Sequence, residues 1–182
     1  MSLSPGPVTS HGSGFFTWHA YDPACKAELW STGFTSPEGT VLFDPIDWPK
    51  GSPLPKNPVE IVRTNANHDR NCDALISQVG GKLTREPTGF SSIPLPGAGE
   101  GETGFFHNLT GSLVMGDALV NLAPHGLILL PEKYCTDPLL LKKSLGKLLD
   151  LPVRRIFFAH GHPILSSPLT SLAKILTSDP SS

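Results

Sequence analysis

This chain has few cysteines, no block of like charge and no long apolar run, and each shortage removes a class of protein. Its three cysteines, Cys25, Cys72 and Cys135, are odd in number and widely spaced. They form neither a C-x-x-C pair nor the even framework of a disulfide-stapled secreted domain. No stretch approaches the roughly 18 apolar residues of a membrane span, so no membrane is expected as a partner. The opening residues Met1 to Pro7 lack a basic start and an apolar run, so no signal peptide is expected and the cytoplasm is the default location. Asn108-Leu109-Thr110 then reads as a sequon by coincidence. The formal net charge is −2, and the densest basic points are the pairs Lys142-Lys143 and Arg154-Arg155. Without a basic face to neutralise phosphates, nucleic acid is disfavoured. No Walker loop and no G-x-S-x-G elbow is present. The string Gly99-Glu100-Gly101-Glu102-Thr103-Gly104 fits G-x-G-x-x-G, but no helix opens after it and its glutamates would repel a pyrophosphate.

Glycine and proline are plentiful instead, at 18 and 19 of 182 residues. That implies many turns and short elements, which favours a strand-rich sandwich over a helical bundle. A chain this long can bury roughly 70% of its unfolded surface, enough for one unaided domain. Residues 1–14 read as a flexible Pro/Gly/Ser tail and 15–178 as a single domain. Strands are expected at Phe15 to Trp18, Ala27 to Phe34, Thr40 to Phe43, Val59 to Arg63, Lys82 to Arg85 and Ser92 to Leu95. Further strands are expected at Thr103 to Asn108, Ser112 to Met115, Gly126 to Leu130 and Val153 to Ala159. Pro45 to Pro58 reads as a loop anchored by Trp48. A short helix should run from Asn71 to Val79, another from Asp137-Pro138 to about Leu149, and a last one from Leu169 to Leu176. The second carries a core-facing stripe of Leu141, Leu145, Leu148 and Leu149. Trp18, Trp30 and Trp48 read as exposed, which leaves a homo-oligomer open.

The chemistry-bearing stretch is Thr64-Asn65-Ala66-Asn67-His68-Asp69-Arg70, between a β-branched strand and a helix. Strand-to-helix turns are where open α/β folds place their sites. Its spacing resembles the T-H-x-H-x-D-H signature of the metallo-β-lactamase superfamily, with Asn65, Asn67 and Arg70 where that family carries histidines. Later segments resemble the family's motifs in order. Gly39-Thr40-Val41-Leu42-Phe43-Asp44-Pro45 resembles its early strand ending in Asp-Pro, and Gly101-Glu102-Thr103-Gly104 its Gly-His-Thr motif with Glu102 for histidine. Leu113-Val114-Met115-Gly116-Asp117 matches the strand before its metal-bridging aspartate. Ile156-Phe157-Phe158-Ala159-His160-Gly161-His162-Pro163 matches its last motif, with His160 at the ligand position. The resemblance implies a shortened α/β fold, an αββα sandwich like that of the metallo-β-lactamases.

Fold and activity need separate arguments. The resemblance implies a hydrolase whose zinc lowers the pKa of a bound water to about 7, and zinc needs imidazole or carboxylate ligands. An asparagine carbonyl is a poor substitute. The expectation is therefore a degenerate site with no metal, in a binding protein that is non-catalytic or altered. The alternative is a metal-dependent hydrolase with one zinc, iron or manganese on Asp69, Asp117 and His160, aided by His162. Asp69, Asp117 and His160 are the candidate catalytic residues, and Asn65, Asn67, His68, Arg70, Glu102 and His162 the candidate pocket. Arg70, always charged, is expected to hold Asp69 and Asp117 as an ion-pair network. His68 reads as a surface or hydrogen-bonded histidine rather than a ligand. Cys72, near a helix start, reads as an inert half-buried thiol. A small-molecule ligand is the expected partner, and specificity would lie in the loops.

Overall fold

In the computed structural model, which describes residues 3–178, two sheets stack face to face between helices. The first sheet runs in the order β1 (Thr9–Ser10), β2 (Phe15–Asp22), β3 (Ala27–Ser36), β4 (Gly39–Phe43), β5 (Val59–Val62) and β6 (Lys82–Leu83). The second contains β7 (Ser91–Pro94), β8 (Thr103–His107) and β9 (Ser112–Met115), with β12 (Arg155–Phe158) parallel to β9 at its edge. A separate hairpin joins β10 (Leu119–Leu122) to β11 (Gly126–Leu129). Helix α1 (Cys72–Val79) lies against β5 and β6, and α2 (Pro138–Gly146) and α3 (Pro168–Thr177) cover the second sheet. No helix among the described residues is long and apolar enough to cross a membrane.

The layers follow from period-2 alternation, which sends neighbouring side chains to opposite faces. In β4, Val41 and Phe43 face the second sheet while Leu42 faces α1. In β9, Val114 points between the sheets while Leu113 and Met115 point to α2 and α3; in β12, Phe157 does the former and Ile156 and Phe158 the latter. Three apolar layers result, one between the sheets and one under each helical cover. Strands buried on both faces read as continuous apolar runs, the pattern of parallel strands covered on both sides. The result is an αββα sandwich.

Several expectations need correction. The segment read as a tail contains β1, which pairs Thr9 with Thr17 and Ser10 with Phe16, and Gly6 N–H donates to the His19 carbonyl. Turn-rich composition hid a strand too short to show alternation. Strand β10 was not expected, because Leu119 to Leu122 is too short a run to stand apart from the apolar strand before it. Leu149 is 37% exposed while Leu141, Leu145 and Leu148 are buried, since α2 tightens into a 3-10 turn at Lys147–Asp150 and rotates Leu149 outward. Trp18 and Trp30 are buried rather than exposed; Trp48 packs edge-on against Trp18 at 5.0 Å and so anchors its loop.

Candidate metal centre and cleft

Parallel strands collect the polar residues at one end. Asp44 follows β4, Thr64 to Arg70 follow β5, Asp117 follows β9 and His160 follows β12. Loops beyond the carboxyl ends of parallel strands are where such sheets bind ligands. Gly116 lets the two sheets close there: a Cβ on it would stand 2.5 Å from Thr64 Oγ1 and 2.7 Å from Glu102 Oε1.

His68 is the hub. Its Nδ1 lies 2.9 Å from Asp44 Oδ2 and 2.9 Å from Thr64 Oγ1, and its Nε2 lies 3.1 Å from Asp117 Oδ1. Asp44 is fully enclosed and accepts from Thr64 N–H at 2.7 Å and from Thr64 Oγ1 at 2.6 Å. His160 Nε2 lies 3.3 Å from the same Asp117 oxygen, and its Nδ1 lies 3.1 Å from the Glu28 carbonyl. Behind these, Asn65 Nδ2 donates to Glu102 at 2.9 Å and to Asp117 Oδ2 at 3.1 Å, and Ala118 N–H donates to Glu102 Oε1 at 2.9 Å.

The charges reinforce one another. Burial alone would lower the His68 pKa, but the charge of Asp44 and the hydrogen bonds to Asp117 and Asp44 win and raise it to about 9. Burial likewise works against ionised Asp117, yet hydrogen bonds from His160 and His68 hold its carboxyl far below the usual range. Asp44 is also lowered, with burial overcome by the His68 charge and hydrogen bond. Glu102 goes the other way: burial, helped by the Asp117 charge, pushes it to about 7 against the pull of the Ala118 and Asn65 donors.

The donor set fits one divalent cation. One ligand atom each from His68, Asp117 and His160 lie within 4.8 Å of one another. Each imidazole turns its Nδ1 to an oxygen, Asp44 or the Glu28 carbonyl, so that loss of the Nε2 proton to a bound cation would leave the Nε2 lone pair facing Asp117. Two imidazoles and a carboxylate with room for a further ligand make an open catalytic-type set. Among the described residues, the side chains beside this set do not make a second one. The Asn65 amide nitrogen is committed to two carboxylates and its oxygen accepts from Asn67 N–H at 2.9 Å, while Arg70 offers no donor atom.

Of the expected residues, the structure brings Asp117 and His160 together, and it sets His68 rather than Asp69 beside them. Asp69 is 62% exposed and pairs with Arg63 on the outer side of the turn. The expected Arg70 network with Asp69 and Asp117 is not formed among the described residues. The Arg70 guanidinium instead donates to the carbonyls of Trp30 at 2.6 Å, Asp44 at 2.9 Å and Ala159 at 3.1 Å, tying the two sheets together beneath the site. Its backbone has a left-handed φ of 42°, which turns the side chain under the sheet ends while Asp69 faces out. Glu102 is buried behind the centre, Asn67 is exposed at the cleft, and His162 is exposed, edge-on to Trp30 at 4.7 Å. The Cys72 thiol is buried rather than half-buried, and that burial pushes its pKa up to about 11.

A cleft of about 740 Å³ opens onto His68, Asp117 and His160, well within the size of ligand pockets. Its walls include Leu29 and Ile46 as well as Asp22, Asp47 and Arg70.

Neither a family model nor a curated protein matches the chain. Solved structures do. A metallo-β-lactamase from Hirschia baltica superposes with a TM-score of 0.67 at 12% identity, covering 98% of this chain and 100% of that one. This protein has the metallo-β-lactamase fold. The metallo-β-lactamase of Erythrobacter litoralis gives 0.67 at 13% identity over 93% of this chain and 95% of its own. That from Pontibacter korlensis gives 0.65 at 14% over 95% and 99%. The likeness fixes the metallo-β-lactamase fold and leaves the chemistry to the residues. Sequence reasoning missed Asp44 and Thr64 as members of the centre. Their signal was the Asp-Pro strand end and the threonine that opens the turn.

Proposed function

We propose that this protein is a metal-dependent hydrolase of altered site, working with one divalent cation on His68, Asp117 and His160. The observation that carries the reading is the convergence of two imidazoles with oxygen-fixed Nδ1 atoms on one oxygen of Asp117. The hydrolytic neighbours named above add weight at the level of reaction class. Held by these residues, a divalent ion would supply the chemistry hydrolysis needs, polarising a carbonyl or phosphoryl oxygen and acidifying water. Asp44 and Thr64 hold His68 in register, and the Glu28 carbonyl does the same for His160. Asn65, steadied by Glu102, occupies Asp117 Oδ2 and leaves Oδ1 turned toward the imidazoles. Leu29 and Ile46 give the cleft an apolar wall that keeps water from part of the ligand.

A second reading, a metal-free binding module, is favoured by the His68 pKa of about 9. A protonated imidazole between two carboxylates closes the network without an ion. Titration of chelator-stripped protein with Zn²⁺, Mn²⁺ and Fe²⁺ separates the two. One ion per chain is expected, with affinity at least about tenfold weaker in Asp117→Ala and His160→Ala. A screen of esters, thioesters, lactones, phosphodiesters and β-lactams should find activity that Asp117→Ala abolishes. No stoichiometric ion together with no activity on that screen would leave the binding module standing.

A further inference from the structure

Charge is unevenly distributed along the cleft. Arg70 is the permanent cation among its described lining residues, and both terminal nitrogens of that side chain are tied to backbone carbonyls. It therefore offers a poor seat for a ligand carboxylate. Two carboxylates, Asp22 and Asp47, border the same cleft. Their hydrogen bonds come from neutral donors: Ala24 N–H to Asp22 at 2.8 Å, and Leu3 N–H at 2.7 Å and Asn71 Nδ2 at 2.9 Å to Asp47. Neither carboxylate forms an ion pair among the described residues. The apolar side chains Leu3, Ala24, Leu29 and Ile46 share this wall. A surface of this kind solvates an alkyl chain and attracts a cation at its end.

We propose that the cleft takes a ligand with a short apolar arm ending in an ammonium group, its carbonyl or phosphoryl end turned toward His68 and His160. An anionic arm is disfavoured, because it would meet Asp22 and Asp47 with no free cation in compensation. The inference rests on the hydrolytic reading in taking this cleft as the ligand site and in turning the reacting end toward His68 and His160; the charge preference of the arm rests on Asp22 and Asp47 alone.

The test uses chelator-stripped protein at low ionic strength and three probes of equal length: n-hexylamine, n-hexanol and hexanoate. Amide shifts of Ala24, Leu29, Ile46 and Asn71 report occupancy by NMR. Hexylammonium should bind about tenfold tighter than hexanoate, with hexanol between, as expected for unit charges a few ångströms apart in a wet cleft. Asp22→Asn should weaken hexylammonium by about threefold and leave hexanol unchanged. Asp22 bonds within its own turn, so this variant spares the Asp47 contacts to Leu3 and Asn71. The exposed Cys25 thiol at the rim gives a second readout: a cationic methanethiosulfonate should label it faster than an anionic one, relative to a free thiol. Hexanoate binding as tightly as hexylammonium, absence of shifts with all three probes, or no charge preference at Cys25 overturns the proposal. No ion and no turnover enter these measurements, so a failed hydrolase screen leaves the preference intact, and a failed probe titration leaves the metal result intact.

Discussion

The two ends of the second sheet use the same residue types to opposite effect. At the carboxyl ends of β9 and β12, His68 and His160 meet Asp44 and Asp117, and Arg70 lies beneath them. At the opposite ends, His107 pairs with Ser112 across β8 and β9, and Arg155 opens β12 beside His11. There the neighbours are aromatic: Phe15 stacks on Phe157 at 4.9 Å, and the Arg155 guanidinium lies 5.1 Å from the Phe15 ring centre. Burial first and Arg155 second lower the pKa of both His11 and His107, whereas His68 is raised to about 9. Burial acts in the same direction on all three. The carboxylates at one end, and their absence from the contacts of the other, decide the charge state. One end gathers carboxylates around imidazoles, the other packs rings.

The sharpest way to break this contrast is to empty the aromatic end. Phe157→Ala removes a ring buried between the sheets and should cost about 4 kcal/mol, read by urea denaturation. Asp44→Asn attacks the polar end: it leaves His68 beside one carboxylate rather than two and should cost about 3 kcal/mol in the metal-free protein at pH 7, read the same way. A loss under about 1 kcal/mol would mean that Asp44 is not the charge that holds His68.

The pH dependence sharpens the comparison further. A raised folded pKa means that the native state binds more protons than the unfolded chain. His68 therefore contributes stability that is complete below its unfolded value of 6.5 and lost as pH rises through about 9. Glu102, raised to about 7, drops out in the same direction between 4.5 and 7. His11 and His107, lowered, act oppositely and withdraw stability as pH falls below 6.5. Thermal melting of metal-free protein should thus show an alkaline limb that His68→Gln flattens. The smallest effect is a shallow loss just below pH 6.5, ahead of the steeper loss as Asp44 and Asp117 take up protons, and His11→Gln should reduce it. An alkaline limb unchanged in His68→Gln would remove His68 from the account.

Much of the architecture could be read from alternation and turns. The runs at Leu113 to Met115 and Ile156 to Phe158 are apolar on both faces, and both became strands covered on each side. Asp137-Pro138 starts α2, with the Asp137 carboxylate accepting from Leu140 N–H at 2.9 Å. The site was only half legible. Asp117 and His160 sit at strand ends that the spacing marks, but His68 and Asp69 are neighbours in sequence and face opposite ways. Nothing in the order Asn67-His68-Asp69-Arg70 says which side chain turns inward.

The sequence by itself determined the layered fold, because a period-2 apolar pattern has few ways to be buried. It also determined which residue types were on hand for chemistry. Only the tertiary structure decided that His68 rather than Asp69 faces Asp117, and that Arg70 binds backbone rather than carboxylate. Those outcomes depend on a left-handed turn at Arg70 and on the carbonyls of Trp30 in β3, of Asp44 after β4 and of Ala159 after β12 in the other sheet. Electrostatic roles are set by distances between such segments, and local sequence does not encode them.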